Sequence, residues 1–262
     1  MAKKSLGQHF LGNPKILQRI IESAQLDADD LVVEIGPGPG SLTKMLLKKV
    51  RNVIAIELDE QLFDRLKTEL AGYDNIELIH GDALKYPYED LPVFKVVANI
   101  PYYITTPIIF RLLEMGLKTP SIPRSGKNLK SITLTIQKEV AERIVARPGG
   151  KDYGVLSIMV QYYAQPSFEF IIPKEAFRPV PKVDSAVIRC VILEKPSVEV
   201  KDEKLFFTII RTAFSQRRKM LSNSLKSVSE DVMGWLNKAG IDPKRRPETL
   251  SIEEFARLAD IL

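Results

Sequence analysis

Two features near the start of the chain place chemically useful residues where apolar segments end. In "EIGPGPGSL" (34–42), Gly36, Gly38 and Gly40 separate an apolar run from a helix-like segment. Glycines at such a place let the backbone turn sharply and approach a ligand, with the amides of the helix N-terminus directed at it. Glu57 ends the next apolar run, where a carboxylate can accept hydrogen bonds from both hydroxyls of a ribose. These residues predict a site for a nucleoside-containing cofactor.

The spacing of the glycines indicates which kind of nucleoside-containing cofactor the site would bind. Dinucleotide sites carry G-x-G-x-x-G, whereas this chain has G-x-G-x-G with Glu34 just before the first glycine. A carboxylate there would repel a pyrophosphate but would suit a cation or an amino group. The segment resembles the S-adenosylmethionine motif of Rossmann-like methyltransferases. A glycine turn that binds nothing is the alternative, and Glu57 at the expected place argues against it.

"HGDAL" (80–84) closes the third apolar run. A carboxylate at Asp82 can accept a hydrogen bond from the exocyclic amine of a cofactor's adenine. Taken alone, Asp82 is better explained as a turn or capping residue. Together with Glu57, one strand earlier at the same predicted sheet edge, the ligand interpretation is favoured.

"NIPY" follows the fourth apolar run, "VFKVVA" (93–98), and suits a reaction on an aromatic amine. The lone pair of an adenine amino group is delocalised into the ring, so the nitrogen is a poor nucleophile. The side-chain oxygen of Asn99 and the carbonyl of Ile100 can accept its two N–H groups and aim the lone pair, while Pro101 fixes the bend. Tyr102 offers a flat ring to a base taken out of its stack. The alternative is a proline turn with an interfacial tyrosine, and core packing is the default for Tyr103.

These motifs sit at the ends of apolar runs that alternate with helix-like segments. Strands are predicted at 31–35, 52–57, 76–80, 93–98 and 131–137, which indicates βαβ units and a parallel sheet. "FEFIIP" and "AVIRCVIL" follow as a predicted antiparallel hairpin at one edge. The fold class is therefore α/β, a Rossmann-like sheet with helices on both faces, plus a small all-helical C-terminal domain. The predicted domains are 1–196, catalytic, and 197–262, which recognises RNA or another substrate.

Composition limits the classes of function. The 262 residues carry a net charge of +5, and residues 201–262 hold 12 Lys/Arg against 9 Asp/Glu, so +3 of the excess lies there. This favours a polyanionic partner for the C-terminal part. One cysteine, Cys190, and two histidines cannot build a Cys/His zinc site, so no metal is expected, and Cys190 is expected in the core. No signal peptide or membrane-spanning run is recognisable, and a cytoplasmic location is expected.

Several segments together give the chain a specific resemblance, which runs along nearly its whole length. "GQHFL" (7–11), "NIPYYI" (99–104), "FRPVPKVDSAVI" (177–188) and "AFSQRRKMLSNSL" (213–225) resemble motifs of the ribosomal RNA adenine dimethyltransferases, in particular the bacterial small-subunit group. The catalytic residues that this implies are Asn99, Pro101, Tyr102 and Phe177, with Phe177 facing the target base opposite Tyr102. The implied S-adenosylmethionine contacts are Gln8, His9, Leu11, Glu34, Gly36, Gly38, Glu57, Asp82, Ala83 and Asn99. His9 stands where many relatives have asparagine.

The resemblance also implies a substrate. It implies transfer of two methyl groups to N6 of each of two adjacent adenosines in the 3′-terminal hairpin loop of 16S rRNA, within the 30S subunit. Arg217, Arg218 and Lys219 are predicted to contact RNA, and phosphate contacts or simple solvation both suit the basic loop 118–130. A monomer with no membrane partner is expected.

Three other functions remain open from the sequence. One is a 23S rRNA adenine methyltransferase of the macrolide-resistance type, against which "NIPYYI" and "SQRRKMLSNSL" argue. Another is a non-catalytic small-subunit assembly factor, although the intact Asn99, Pro101 and Tyr102 speak for catalysis. The last is a DNA adenine methyltransferase, a group that typically has proline at both middle positions of the motif, where this chain has Ile100-Pro101.

Overall fold

The computed structural model of the chain describes residues 8–113 and 128–262. The strands in these ranges are β1 Phe10–Leu11, β2 Leu31–Ile35, β3 Asn52–Glu57, β4 Ile76–His80, β5 Phe94–Asn99, β6 Leu129–Gln137, β7 Ala164–Ile172, β8 Phe177–Arg178 and β9 Ser185–Ile192. The helices are α1 Pro14–Ser23, α2 Ser41–Leu46, α3 Glu60–Glu69, α4 Thr105–Leu113, α5 Lys138–Val145, α6 Val155–Tyr163, α7 Glu203–Ser215, α8 Leu221–Ser224, α9 Val232–Lys238 and α10 Ile252–Ile261. The predicted basic loop 118–130 lies, up to residue 127, outside the described ranges.

The larger sheet has the strand order β4-β3-β2-β5-β6-β9-β7. The first five of these strands are parallel, and β9 runs antiparallel to β6. Along the chain, β2, β3 and β4 follow one another towards one side of the sheet. β5 then lies on the other side of β2 and is followed outward by β6, so the strand order reverses between β2 and β5. With right-handed crossovers, α2 and α3 cover one face and α4 the opposite face. This confirms the predicted Rossmann-like α/β fold, and its switch point is where such sheets bind ligands.

The central parallel strands are buried because their apolar runs are covered on both faces, whereas β4, at the edge of the sheet, is partly exposed. β2 and β3 supply almost continuously buried residues, including Val32, Val33, Val53 and Ala55. α1 packs its stripe of Leu17, Ile20 and Ile21 into the core, and the Asn13 side chain caps the helix by accepting the amides of Lys15 and Ile16. Cys190 on β9 is buried, also as predicted.

The second compact unit is formed within Glu142–Ala164 and Leu193–Leu262, and the first within Met1–Ala141 and Gln165–Ile192. α7 and α6 of the second unit share an aromatic cluster of Tyr162, Tyr163, Phe206 and Phe207. The grouping of 142–164 with the C-terminal residues was not foreseen, because α6, "VLSIMVQYY", is buried around most of its circumference and shows no polar face. The division at residue 196 therefore stays a prediction.

One C-terminal helix, α8, is only four residues long. It covers Leu221–Ser224, and residues 216–219 form a turn after α7. Within the described residues, no helix is both long and apolar enough to cross a bilayer.

Candidate active site

The glycine turn after β2 adopts a backbone that requires glycine at its centre. Gly36 has φ 66° and Gly38 has φ 58°, both in the left-handed region. The amide of Gly38 donates to Glu57 Oε2 at 3.0 Å, and the amide of Asp59 donates to Glu57 Oε1 at 2.9 Å. The carboxylate at the end of β3 thus holds the turn at the end of β2.

Glu34 lies beside this turn in an unusual environment. The residue is 1% exposed, and its Oε2 atom has no hydrogen-bond partner among the described residues. Burial raises the pKa of the Glu34 carboxyl to about 8, the Thr43 hydroxyl opposes the rise, and the neighbouring Glu57 adds to it. A buried, unpartnered carboxyl oxygen is a group that a bound cation or amino group would satisfy.

Asn99 ends β5 at the same sheet edge. Its Nδ2 donates to the backbone carbonyl of His9 at 3.1 Å, which fixes the amide orientation and leaves Oδ1 facing away from His9. Pro101 has φ −59° and leads into a single 3-10 turn over Tyr102–Ile104. The acceptor that an aromatic amine would need is therefore held in place before any ligand arrives.

A short segment before α1 crosses the site. β1 pairs with β8 in a two-stranded antiparallel sheet, Phe10 opposite Arg178 and Leu11 opposite Phe177. The Nδ1 atom of His9 donates to the carbonyl of Pro179 at 2.8 Å. Sequence patterns could not reveal this pairing, because each strand has two residues and the partners are far apart in the chain.

Tyr102 is fixed at both its hydroxyl and its ring. Its hydroxyl is hydrogen-bonded to Ser185 Oγ at 2.8 Å, and its ring centroid lies 5.5 Å from that of His9. Burial raises the pKa of the Tyr102 phenol, partly offset by the Ser185 hydrogen bond, so the group stays neutral. Phe177, predicted to face the base from the other side, is 1% exposed and belongs to the core cluster as well as to the site.

One pocket brings most of the predicted residues together. Its lining includes these eleven: Gln8, His9, Leu11, Glu34, Gly36, Gly38, Glu57, Asn99, Pro101, Tyr102 and Phe177. Asp82 and Ala83 do not line this pocket: Asp82 Oδ1 accepts the amide of Leu84 at 2.9 Å, and Ala83 is buried. The prediction that Tyr103 packs in the core is wrong, since the residue is 53% exposed at the end of the catalytic motif.

The three predicted RNA-contacting cations lie in the turn after α7, in the second unit. Arg217 Nη2 donates to the carbonyls of Lys151 and Tyr153 at 2.7 and 2.9 Å, so this guanidinium holds the 151–153 segment. Arg218 and Lys219 are exposed. Residues 216–219 form a turn, so these cations are not arranged on a helix.

Known sequences resemble this chain over its full length. The ribosomal RNA adenine dimethylase family matches residues 1–262. The ribosomal RNA small subunit methyltransferase A of Clostridium acetobutylicum is 50% identical over 264 residues, covering 98% of this chain and 92% of that protein. The enzyme of the same name from Clostridium perfringens is 50% identical over 266 residues, covering 99% and 90%.

Solved structures show the same likeness in three dimensions. A dimethyladenosine transferase from Plasmodium falciparum has a TM-score of 0.76 with 29% identity, covering 95% of this chain and 96% of that one. The 23S rRNA methyltransferase ErmE has a TM-score of 0.72 with 30% identity, covering 97% and 99%. The full-length match to the family and the 50% identical relatives agree, and the chain belongs to the ribosomal RNA adenine dimethylase family.

Proposed function

We propose that this protein uses S-adenosylmethionine to dimethylate N6 of two adjacent adenosines in the 3′-terminal hairpin loop of 16S rRNA, within the 30S subunit. One observation carries the chemistry: Asn99 ends β5 with its amide held by the His9 carbonyl and its Oδ1 free, beside Tyr102. The family to which the chain belongs acts on adenine in ribosomal RNA.

The residues of the pocket fit S-adenosylmethionine. The unpartnered Oε2 of Glu34 is suited to the cofactor's amino group, and the Glu57 carboxylate, which lines the pocket, is suited to its ribose hydroxyls. Gln8, His9, Leu11, Asn99 and the backbone at Gly36 and Gly38 complete the proposed contacts, with Asp82 and Ala83 assigned to the adenine end. When bound, the cofactor supplies an electrophilic methyl group on its sulfonium.

The chain's own residues then orient the target. In the first transfer, Asn99 Oδ1 and the carbonyl of Ile100 accept the two N–H groups of the adenine, so that its nitrogen becomes pyramidal and its lone pair is directed at the methyl group. In the second transfer, one of these acceptors holds the remaining N–H. The proton displaced by each methyl group passes to solvent. Tyr102 supports the ring by stacking, with Phe177 on the other side, and Pro101 holds the bend that presents the carbonyl. Such positioning, rather than removal of a proton by a base, supplies most of the rate.

The assignment of the substrate to the small ribosomal subunit rests on sequence identity to the two groups of relatives. Relatives that are 50% identical are named small subunit methyltransferases, whereas the 23S rRNA methyltransferase ErmE is 30% identical. We therefore place the substrate in 16S rRNA. The assembly-factor alternative is disfavoured by the complete set of Asn99, Pro101 and Tyr102 in one pocket.

The remaining parts of the proposal concern the protein's setting. We assign residues 1–196 to catalysis and 197–262 to recognition of RNA, with Arg218 and Lys219 contacting phosphates and Arg217 supporting them. We further propose that the protein acts as a monomer, in the cytoplasm, where its ribosomal substrate is assembled.

Labelled S-adenosylmethionine tests the function directly. We would incubate the protein with 30S subunits from a strain that lacks this methylation and map the label. Two adjacent adenosines near the 3′ end of 16S rRNA should carry it. Fully methylated 30S subunits and 50S subunits serve as controls, and label on 23S rRNA would transfer the protein to the large-subunit group. No label on either subunit, with cofactor binding intact, would support the assembly-factor alternative.

A further inference from the structure

Ser185 occupies an unexpected position at the active edge of the sheet. β9 runs antiparallel to β6, with Gln137 opposite Ser185 and Thr135 opposite Val187. The first residue of β9 therefore lies at the edge where β5 and β6 end. Asn99 is opposite Thr135, and side chains two residues apart on a strand share a face. Ser185 and Asn99 thus present their side chains on the same face, two strands apart.

The hydroxyl of Ser185 is hydrogen-bonded to Tyr102 and is shielded from solvent. The residue is fully buried, and its Oγ lies 2.8 Å from the Tyr102 hydroxyl, across 83 residues of chain. Tyr102 follows Pro101 in a single 3-10 turn, so backbone hydrogen bonds restrain it weakly. Its hydroxyl contact is therefore an important restraint on the tilt of the ring.

The residues that precede Ser185 are held by hydrogen bonds. The carbonyl of Asp184 accepts the amide of Lys138, and Asp184 Oδ1 accepts the amide of Lys174 at 3.0 Å. At the other end of the same segment, the Pro179 carbonyl accepts His9 Nδ1–H. The segment from Pro179 to Ser185 is thus tied to both the N-terminal segment and the catalytic motif.

We propose that Ser185 is a positioning residue that sets the angle of the Tyr102 ring, and so the plane in which the target adenine lies relative to Asn99. This inference rests on the proposed function, because it assigns Tyr102 to the target base. A misplacement of a reacting group by about 1 Å can cost about a hundred-fold in rate, so loss of one restraint on the ring should lower turnover.

Kinetics of four proteins test the proposal: wild type, Ser185→Ala, Tyr102→Phe and the double variant. Activity is measured on unmethylated 30S subunits and normalised to cofactor-binding sites. Each single variant should lower kcat about ten-fold with the KM for S-adenosylmethionine unchanged. The double variant should lose no more than either single one, because both remove the same hydrogen bond. Ser157→Ala is the control: Ser157 is also fully buried and donates one hydrogen bond, to the Arg143 carbonyl. It should lower stability without lowering kcat.

A spectroscopic measurement keeps the test independent of substrate. Tyrosine labelled with ¹³C at Cζ gives signals from the 8 tyrosines, and the one missing from Tyr102→Phe belongs to Tyr102. Ser185→Ala should shift that signal, and Ser157→Ala should not. An unmoved Tyr102 signal, or a kcat of Ser185→Ala within two-fold of wild type, overturns the proposal. Wild type that methylates no 30S subunit overturns the proposed function instead, and the signal of Tyr102 still decides whether Ser185 positions it.

Discussion

The side chain of Asn99 is held by the backbone of His9: Asn99 Nδ2 donates to the His9 carbonyl at 3.1 Å. A carbonyl can only accept, so the amide nitrogen must face His9 and Oδ1 must face away. The same segment pairs through Phe10 and Leu11 with β8. The residues before α1 therefore determine the direction of the proposed catalytic acceptor, in addition to any contact with a cofactor.

Asn99→Ala should abolish methyl transfer with the fold retained. We expect kcat to fall by at least about a hundred-fold, because the target amine loses an oriented acceptor. Circular dichroism should stay near that of wild type, and S-adenosylmethionine binding should weaken far less than turnover falls, because the other proposed cofactor contacts remain. Asn99→Asp is the matched variant: it keeps the acceptor oxygens but places a carboxylate against the His9 carbonyl, so it should also be impaired. Near-native turnover by Asn99→Ala would contradict the mechanism.

The sequence predicts the centre of the sheet well because β2, β3 and β5 are buried on both faces and therefore appear as largely apolar runs. It predicts Glu57 and Asn99 for the same reason, since the end of each such run is visible as the first polar residue. These ends meet at one edge of a parallel sheet, so their proximity follows from topology alone. Both residues accordingly line the same pocket.

Other parts of the site have no local signature. Ser185 lies where β5 and β6 end because it begins an antiparallel strand. The direction of that strand depends on its long-range pairing with β6. The β1–β8 pairing is too short to produce a pattern. Arg217 has the charge of an RNA-binding residue, yet its guanidinium bonds to carbonyls at 151 and 153, which composition does not reveal. Tyr103 is apolar enough for a core and is nevertheless half exposed.

Glu34 should make the unliganded protein less stable as pH rises. Its pKa is about 8 in the folded protein against an ordinary 4.5, so between these values the folded state holds a proton that the unfolded state has lost. Stability from this group is complete below pH 4.5 and is lost as pH rises towards 8, by about 1.4 kcal/mol per pH unit. Urea unfolding across this range should show the slope.

Glu34→Gln is the matched variant for that measurement. The amide has the size of the protonated acid and does not titrate, so the difference in unfolding free energy between the two proteins isolates Glu34 from Glu57, whose pKa is also raised. We expect wild type to lose stability relative to Glu34→Gln as pH rises. A constant difference would show that Glu34 does not change its charge in this range.

Gly38→Ala should loosen the segment that crosses the site. Gly38 has φ +58°, and a Cβ there would lie 3.0 Å from two ring carbons of Phe10 on β1. We expect a loss of about 1 kcal/mol in unfolding free energy from the backbone alone, and S-adenosylmethionine binding weakened about ten-fold, as calorimetry would show. Gly12→Ala is the control, because a Cβ at Gly12 meets nothing within 4 Å. Equal effects of the two substitutions would mean that the contact with Phe10 is unimportant.

The cations at 217–219 should separate into a structural and an RNA-binding group. Arg217→Ala removes the donor to two carbonyls, so it should lower the unfolding free energy by about 1 kcal/mol. Arg218→Ala and Lys219→Ala should leave stability unchanged but weaken binding to 30S subunits. Removal of one cation that neutralises a phosphate should reduce the slope of log affinity against log salt by about 0.7–0.9. Lys67→Ala, an exposed lysine on α3, controls for overall charge. If Arg218→Ala and Lys219→Ala keep the wild-type salt slope, this turn does not contact RNA.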